Sequence, residues 1–122
     1  MSHAPIILVV DDTPTVLRAV EKSLSRAGYE VLVAESGEDA MEVVGRVTHK
    51  IDLFILDITL PGMNGVDLAG EIERRRPGTP VLLMSGEGGN PGGAFAVIRK
   101  PFTIDEVLGR VREALGEGEP PS

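Results

Sequence analysis

The sequence contains no cysteine. Disulfide frameworks, thiolate zinc sites and cysteine nucleophiles are therefore excluded together. Aromatic residues are almost as scarce, with no tryptophan, one tyrosine and three phenylalanines in 122 residues. The interior must be packed from Val, Leu, Ile, Ala and Met instead of stacked rings. Positive charge is in the minority, with 12 Lys plus Arg against 19 Asp plus Glu and a formal net charge of -7. A chain of that sign repels phosphate backbones and anionic lipid surfaces, which argues against nucleic acid or a membrane as a direct partner. The longest apolar runs are about five residues, far short of the roughly 18 that a membrane span needs, and Met1 to Pro5 lacks a signal-peptide layout. The expected compartment is the cytoplasm.

The chain has the length of one domain, and its 42% apolar content is enough to argue against overall disorder. Five short apolar runs punctuate it: Ile6 to Val10, Val31 to Ala34, Leu53 to Leu56, Val81 to Met84 and Ala96 to Ile98. Most are continuous, not alternating, which suits strands buried on both faces of a parallel sheet. Helical patterns lie between them. Val16, Leu17, Val20 and Leu24 repeat at three and four residues, with Pro14 in the first turn and Gly28 where a C-cap belongs. Ser36 followed by Asp39 resembles a capping box and opens a helix through about Val47. A further helix is expected from about Val66 to Arg75, ending before Pro77, and Thr103 with Glu106 caps a last one whose apolar stripe is Ile104, Val107, Leu108, Val111 and Leu115. The expected fold is therefore α/β, a parallel sheet with helices on both faces, and residues 116–122 form a Gly/Pro/Glu tail or the start of a linker.

Ligands in such sheets collect at the carboxyl ends of the strands. Here those ends carry Asp11 and Asp12 after the first strand, Asp57 after the third, Ser85 after the fourth and Lys100 after the fifth. Three carboxylates brought to one edge repel each other unless positive charge sits among them, and one lysine does not neutralise three acids. A hard divalent cation would, and Mg²⁺ characteristically takes one or two carboxylates, waters and a phosphate oxygen. The pattern points to phosphoryl chemistry, with Ser85 and Lys100 placed to bind phosphoryl oxygens.

The segments VVDD at 9–12, LDITLPGMNG at 56–65, LLMSG at 82–86 and KPF at 100–102 resemble a bacterial two-component receiver domain over roughly residues 5–115. The resemblance implies a flavodoxin-like five-stranded sheet of order 2-1-3-4-5 and a cis Lys100–Pro101 peptide. It implies that Asp57 is the phosphoacceptor, that Asp12 binds Mg²⁺ (or Mn²⁺) directly and Asp11 through water, and that the Thr59 carbonyl completes the protein ligands. Ser85 and Lys100 would hold the phosphoryl group. The implied donor is a sensor histidine kinase or a histidine phosphotransfer protein, and the implied role is a switch, not a metabolic enzyme. Thr59 and Glu87 are expected to tune the lifetime of the acyl phosphate, and the small Gly86 to leave room for the donor.

Other readings attach to the same residues. Asp12 taken alone fits a cap for the helix entered at Pro14. A phosphohydrolase of the haloacid dehalogenase type also uses an Asp after a strand, but its usual second Asp falls on Thr59, and a cap domain does not fit in 122 residues. A pseudo-receiver that binds partners without phosphorylation is the third. Arg74, Arg75 and Arg76 are expected to complement a helix C-terminus, not to bind nucleic acid. His3 and His49 receive no role. Two departures from the family pattern stand out. Receivers usually place Tyr or Phe three residues before the KP lysine, where this sequence has Val97, so the usual aromatic switch is expected to be absent, with Phe95 or Phe102 as substitutes. Residues Gly86 to Phe95 include five glycines and one proline, too few residues and too much glycine for a regular helical crossover, so a loop with at most one helical turn is expected there.

Overall fold

The computed structural model describes residues 4–86 and 95–117. In chain order the elements are β1 (Ile6–Val10), α1 (Pro14–Arg26), β2 (Glu30–Ala34), α2 (Gly37–Arg46), β3 (Leu53–Asp57), α3 (Gly65–Arg75), β4 (Val81–Ser85), β5 (Ala96–Arg99) and α4 (Ile104–Ala114). All strand pairings are parallel, in the order β2-β1-β3-β4-β5. The expected segment between β4 and β5 that replaces a helical crossover lies, for residues 87–94, outside the described residues.

The apolar runs of the central strands β1, β3 and β4 are buried throughout because these strands feed two cores, whereas the runs of the edge strands β2 and β5 are only partly buried, contrary to the expectation for them. Alternate side chains of a strand point to opposite faces. Leu8, Val10, Phe54, Leu56 and Leu83 therefore meet Ala40 and Val44 of α2 and Leu68, Ala69 and Ile72 of α3. Ile7, Val9, Leu53, Ile55, Leu82 and Met84 meet Leu17, Val20 and Leu24 of α1 and Val107 and Val111 of α4. Among the described residues, Phe54 is the only aromatic ring in the set of largest fully buried side chains, so branched aliphatics carry the packing.

Helix ends follow the local chemistry of the sequence. The Ser36 hydroxyl accepts the Asp39 N–H at 3.1 Å, and Asn64 caps α3 through the Asp67 N–H at 2.9 Å. Thr103 and Glu106 form the full reciprocal box at the start of α4. Gly28 sits one residue beyond the C-cap Ala27 of α1, at a φ of 100°, where an L side chain would be strained. Strands β3, β4 and β5 each run one residue further than their apolar runs, so Asp57 and Ser85 are the last residues of their strands and do not follow them.

Arg76 complements a helix C-terminus, as expected of the arginine cluster, but that of α2 and not of its own helix. Its guanidinium donates to the carbonyls of Val44 at 3.0 Å, Val47 at 2.8 Å and His49 at 3.1 Å, and so ties the end of α2 and the adjoining loop to the end of α3. Arg74 pairs instead with Glu71 one turn back. No described helix is long and apolar enough to cross a membrane.

Candidate functional site

The parallel topology brings the carboxyl ends of β1, β3, β4 and β5 to one edge, and the site is built there. Asp11 follows β1 and is fully buried, held by its N–H to the Ala34 carbonyl at 3.2 Å. Asp57 ends β3 and is nearly as buried. Each of these acids opens an Asp-x-Thr segment, and each folds the same way. The Thr13 N–H donates to Asp11 Oδ1 at 2.8 Å, and the Thr59 N–H donates to Asp57 Oδ1 at 3.0 Å. Side-chain to backbone bonds of this kind fix the carboxylate within its own turn.

With both Oδ1 atoms engaged, both Oδ2 atoms face one cation. Lys100 Nζ lies 3.1 Å from Asp11 Oδ2 and 3.3 Å from Asp57 Oδ2, and its side chain keeps 24% of its exposure. The Lys100 backbone is anchored separately, its N–H donating to the Ser85 carbonyl at 2.7 Å, and the Lys100–Pro101 peptide is cis. Ser85 is fully buried, and its hydroxyl donates to the Gly86 carbonyl at 3.2 Å.

Asp12 completes the cluster from the solvent side, with one ligand atom from each of Asp11, Asp12 and Asp57 lying within 4.8 Å of the others. Asp12 is not the cap of α1. That position belongs to Thr13, whose side chain makes no capping bond, so the Asp12 carboxylate is left for the cluster. The donor set is all oxygen and carries three formal negative charges against one lysine, which fits a hard divalent cation better than a soft one.

The electrostatics follow from burial. Loss of water holds the Asp57 carboxyl above the usual carboxylate range; the Asp11 charge pushes the same way, while the Thr59 N–H and Lys100 oppose it. For Lys100, burial works against the charged form, but the bonds and charges of Asp11 and Asp57 outweigh it and raise the ammonium above its ordinary value. A buried acid with a perturbed pKa beside a fixed cation marks a candidate functional site.

The structure thus gathers Asp11, Asp12, Asp57, Ser85 and Lys100 at one edge. Thr59 stands beside Asp57, and the contact described for it is through its N–H. Glu87 lies outside the described residues. Among the described residues, a Cβ at Gly86 would meet nothing within 4 Å. Val97 and Phe95 both pack, half-buried, against the core on the α2 and α3 face, whereas Phe102 packs against the opposite core. Sequence reasoning missed the two threonine N–H bonds, for which the repeated Asp-x-Thr was the available signal. It also missed a groove of about 540 Å³ beside the site, with Val16, Ala19, Pro101, Phe102 and Ile104 among its lining and Lys100 at its edge.

Comparison with known proteins agrees with this geometry. The model of the response regulator receiver domain matches residues 7–112. Transcriptional regulatory protein GlrR of Escherichia coli is 34% identical over 98% of this chain and 28% of its own length. Transcriptional regulatory protein KdpE of Mycobacterium tuberculosis is 35% identical over 90% of this chain and 50% of its own. This chain spans half or less of the length of these curated relatives. Among solved structures, the receiver domain of NtrX from Brucella abortus superposes with a TM-score of 0.82 at 31% identity, covering 92% of this chain and 99% of that one. A response regulator receiver domain protein from Clostridium thermocellum gives 0.85 at 29% identity, covering 93% and 95%. Fold order, motif placement and end-to-end likeness to isolated receivers converge on one assignment: the chain belongs to the response regulator receiver domain family.

Proposed function

We propose that Asp57 is the phosphoacceptor and that the cluster at the strand ends is the phosphoryl-transfer site. The observation that carries this reading is the convergence of three carboxylates within 4.8 Å of one another against the cation of Lys100. A carboxylate oxygen of Asp57 attacks the phosphorus of a phosphohistidine on a kinase or phosphotransfer protein. The O–P bond forms as the N–P bond breaks, and the imidazole leaves. Lys100 is already oriented by Asp11 and Asp57 to meet charge on the phosphoryl oxygens, and Ser85 supplies a hydroxyl at the same edge. Asp11, Asp12 and Asp57, with the Thr59 carbonyl, would hold Mg²⁺ or Mn²⁺; that ion supplies charge neutralisation for the incoming phosphoryl group. Hydrolysis of the acyl phosphate within the same site returns the switch to rest. The apolar groove beside Lys100 supports the docking of a donor protein at this edge. Residues 5–115 make up the receiver unit, and residues 116–122 serve as a tail or as the start of a linker toward an output segment. The compartment is the cytoplasm, where such donors act.

Incubation with acetyl phosphate and Mg²⁺, with intact mass as the readout, tests the reading. An adduct of one phosphoryl group that disappears in Asp57→Asn supports it. Turnover of free phosphomonoesters without an adduct supports a hydrolase, and neither product supports a pseudo-receiver.

A further inference from the structure

The loop after Asp57 leaves the sheet, and the chain returns at Gly65, the first residue of α3. The Gly65 N–H donates to the Ile58 carbonyl at 2.8 Å and closes the loop on itself. A Cβ at Gly65 would lie 2.2 Å from the Asp57 carbonyl oxygen, 2.7 Å from Ile58 Cα and 2.8 Å from the Asp57 carbonyl carbon. All three are backbone atoms, so no flexible side chain can swing aside. Gly65 is not among the glycines with positive φ, so its backbone conformation is open to any residue; the close approach is what demands glycine. Among the described residues, Gly45, Gly70 and Gly109, also helical, would meet nothing within 4 Å, and the atoms nearest a Cβ at Gly37 belong to the Met63 side chain.

We propose that Gly65 is a positioning residue for phosphoryl transfer. Its missing side chain lets the first turn of α3 rest directly on the Asp57 peptide, and this contact sets where the Asp57 carboxylate stands relative to Lys100 and Asp11. The inference rests on Asp57 being the phosphoacceptor. Alanine at 65 requires the two backbones to part by about 1 Å before carbon and oxygen reach ordinary contact. Helix α3 is held by the buried Leu68, Ala69 and Ile72, and β3 by its pairing with β4 and by the Ile58 N–H on the Met84 carbonyl at 3.0 Å. The displacement therefore falls on the Asp57–Ile58 peptide and on the Thr59 N–H that orients the carboxylate. An error of about 1 Å at a reacting group costs on the order of a hundredfold in rate.

The test compares Gly65→Ala with wild type, and Gly65→Ala/Gly70→Ala with Gly70→Ala. The Gly70 change strengthens α3 in open space and supplies a stabilised background for the substituted chain. Phosphorylation by acetyl phosphate with Mg²⁺ is monitored to completion, beryllofluoride affinity is read by fluorine NMR, and folding is checked by circular dichroism. The expected result is a folded protein labelled to the same final stoichiometry but about tenfold to a hundredfold more slowly at saturating donor. Beryllofluoride binding should weaken in parallel, with Gly70→Ala behaving as wild type. Folded Gly65→Ala proteins with wild-type rate and beryllofluoride affinity would overturn the proposal. Failure to fold even in the Gly70→Ala background would also overturn it, by assigning Gly65 to the fold and not to the site. Absence of any adduct on wild-type Asp57 would strike the functional reading instead.

Discussion

Replacing Lys100 with methionine removes the cation held between two buried acids, and its cost should depend on pH in a defined direction. At the separations of 3.1 and 3.3 Å to Asp11 and Asp57, unit charges in an effective dielectric of about 20 attract by roughly 5 kcal/mol each. The two carboxylates, with ligand atoms within 4.8 Å, repel by roughly 3.5 kcal/mol or more on the same scale. Desolvation of all three groups cancels much of the gross attraction. Removing one partner of a fully buried pair typically costs about 3–5 kcal/mol, and the partial exposure of Lys100 lowers the expectation to about 2 kcal/mol near neutral pH. Lys100 is also one of the influences holding the Asp57 pKa down, so its loss raises that already raised value further. A carboxyl with a folded-state pKa above its unfolded value binds more protons in the native state, so its contribution makes stability fall as pH rises through that window. The gap between Lys100→Met and wild type should therefore be small on the acid side of the raised Asp57 value, where that carboxyl is protonated, and largest on its alkaline side. Urea unfolding by circular dichroism, in chelator and at low salt across that range, measures it. A variant as stable as wild type near neutral pH, or a gap that widens as pH falls, would refute the reasoning.

Two further predictions concern the frame around the site. Arg76→Ala strips three backbone carbonyls of a charged donor and should cost about 2 kcal/mol in urea unfolding while leaving acetyl phosphate labelling of the folded protein unchanged. Tyr29 donates its hydroxyl to Glu117 at 2.7 Å, and its pKa is raised by burial and by that carboxylate, so Glu117→Ala should lower the phenol's titration midpoint in ultraviolet absorbance; an unchanged midpoint would show that the contact does not persist in solution.

The edge of the sheet that carries the chemistry was legible because strand runs and strand-end residues are local features. Reading Ile6 to Val10 and Leu53 to Leu56 as parallel strands already places Asp11 and Asp57 at the same edge of the sheet, and the pairing of β1 with β3 makes them neighbours. Strand order needed the family resemblance, since continuous apolar runs specify burial and not neighbours. What stayed hidden depends on distance along the chain. The Arg76 contacts reach back 27 to 32 residues, and nothing in a run of three arginines says which one turns inward. The contact between Gly65 and the Asp57 backbone is likewise invisible in a motif, because the sequence shows a glycine but not what presses against it. Asp12 shows the opposite case, in which a sound local argument for a helix cap loses to Thr13. Val97 lies in β5 and packs on the face where Phe95, just before the strand, also packs, while Phe102, beyond the strand, packs on the other.

The central claim is that phosphate chemistry occurs on Asp57 and not merely somewhere in an acidic cluster. The most direct measurement is to phosphorylate the protein with acetyl phosphate and Mg²⁺, trap the acyl phosphate by borohydride reduction, and locate the resulting homoserine by peptide mass mapping. Conversion is expected at Asp57 alone, with Asp11 and Asp12 recovered intact. Conversion at Asp11 or Asp12, or none at all in protein shown to be folded, would contradict it.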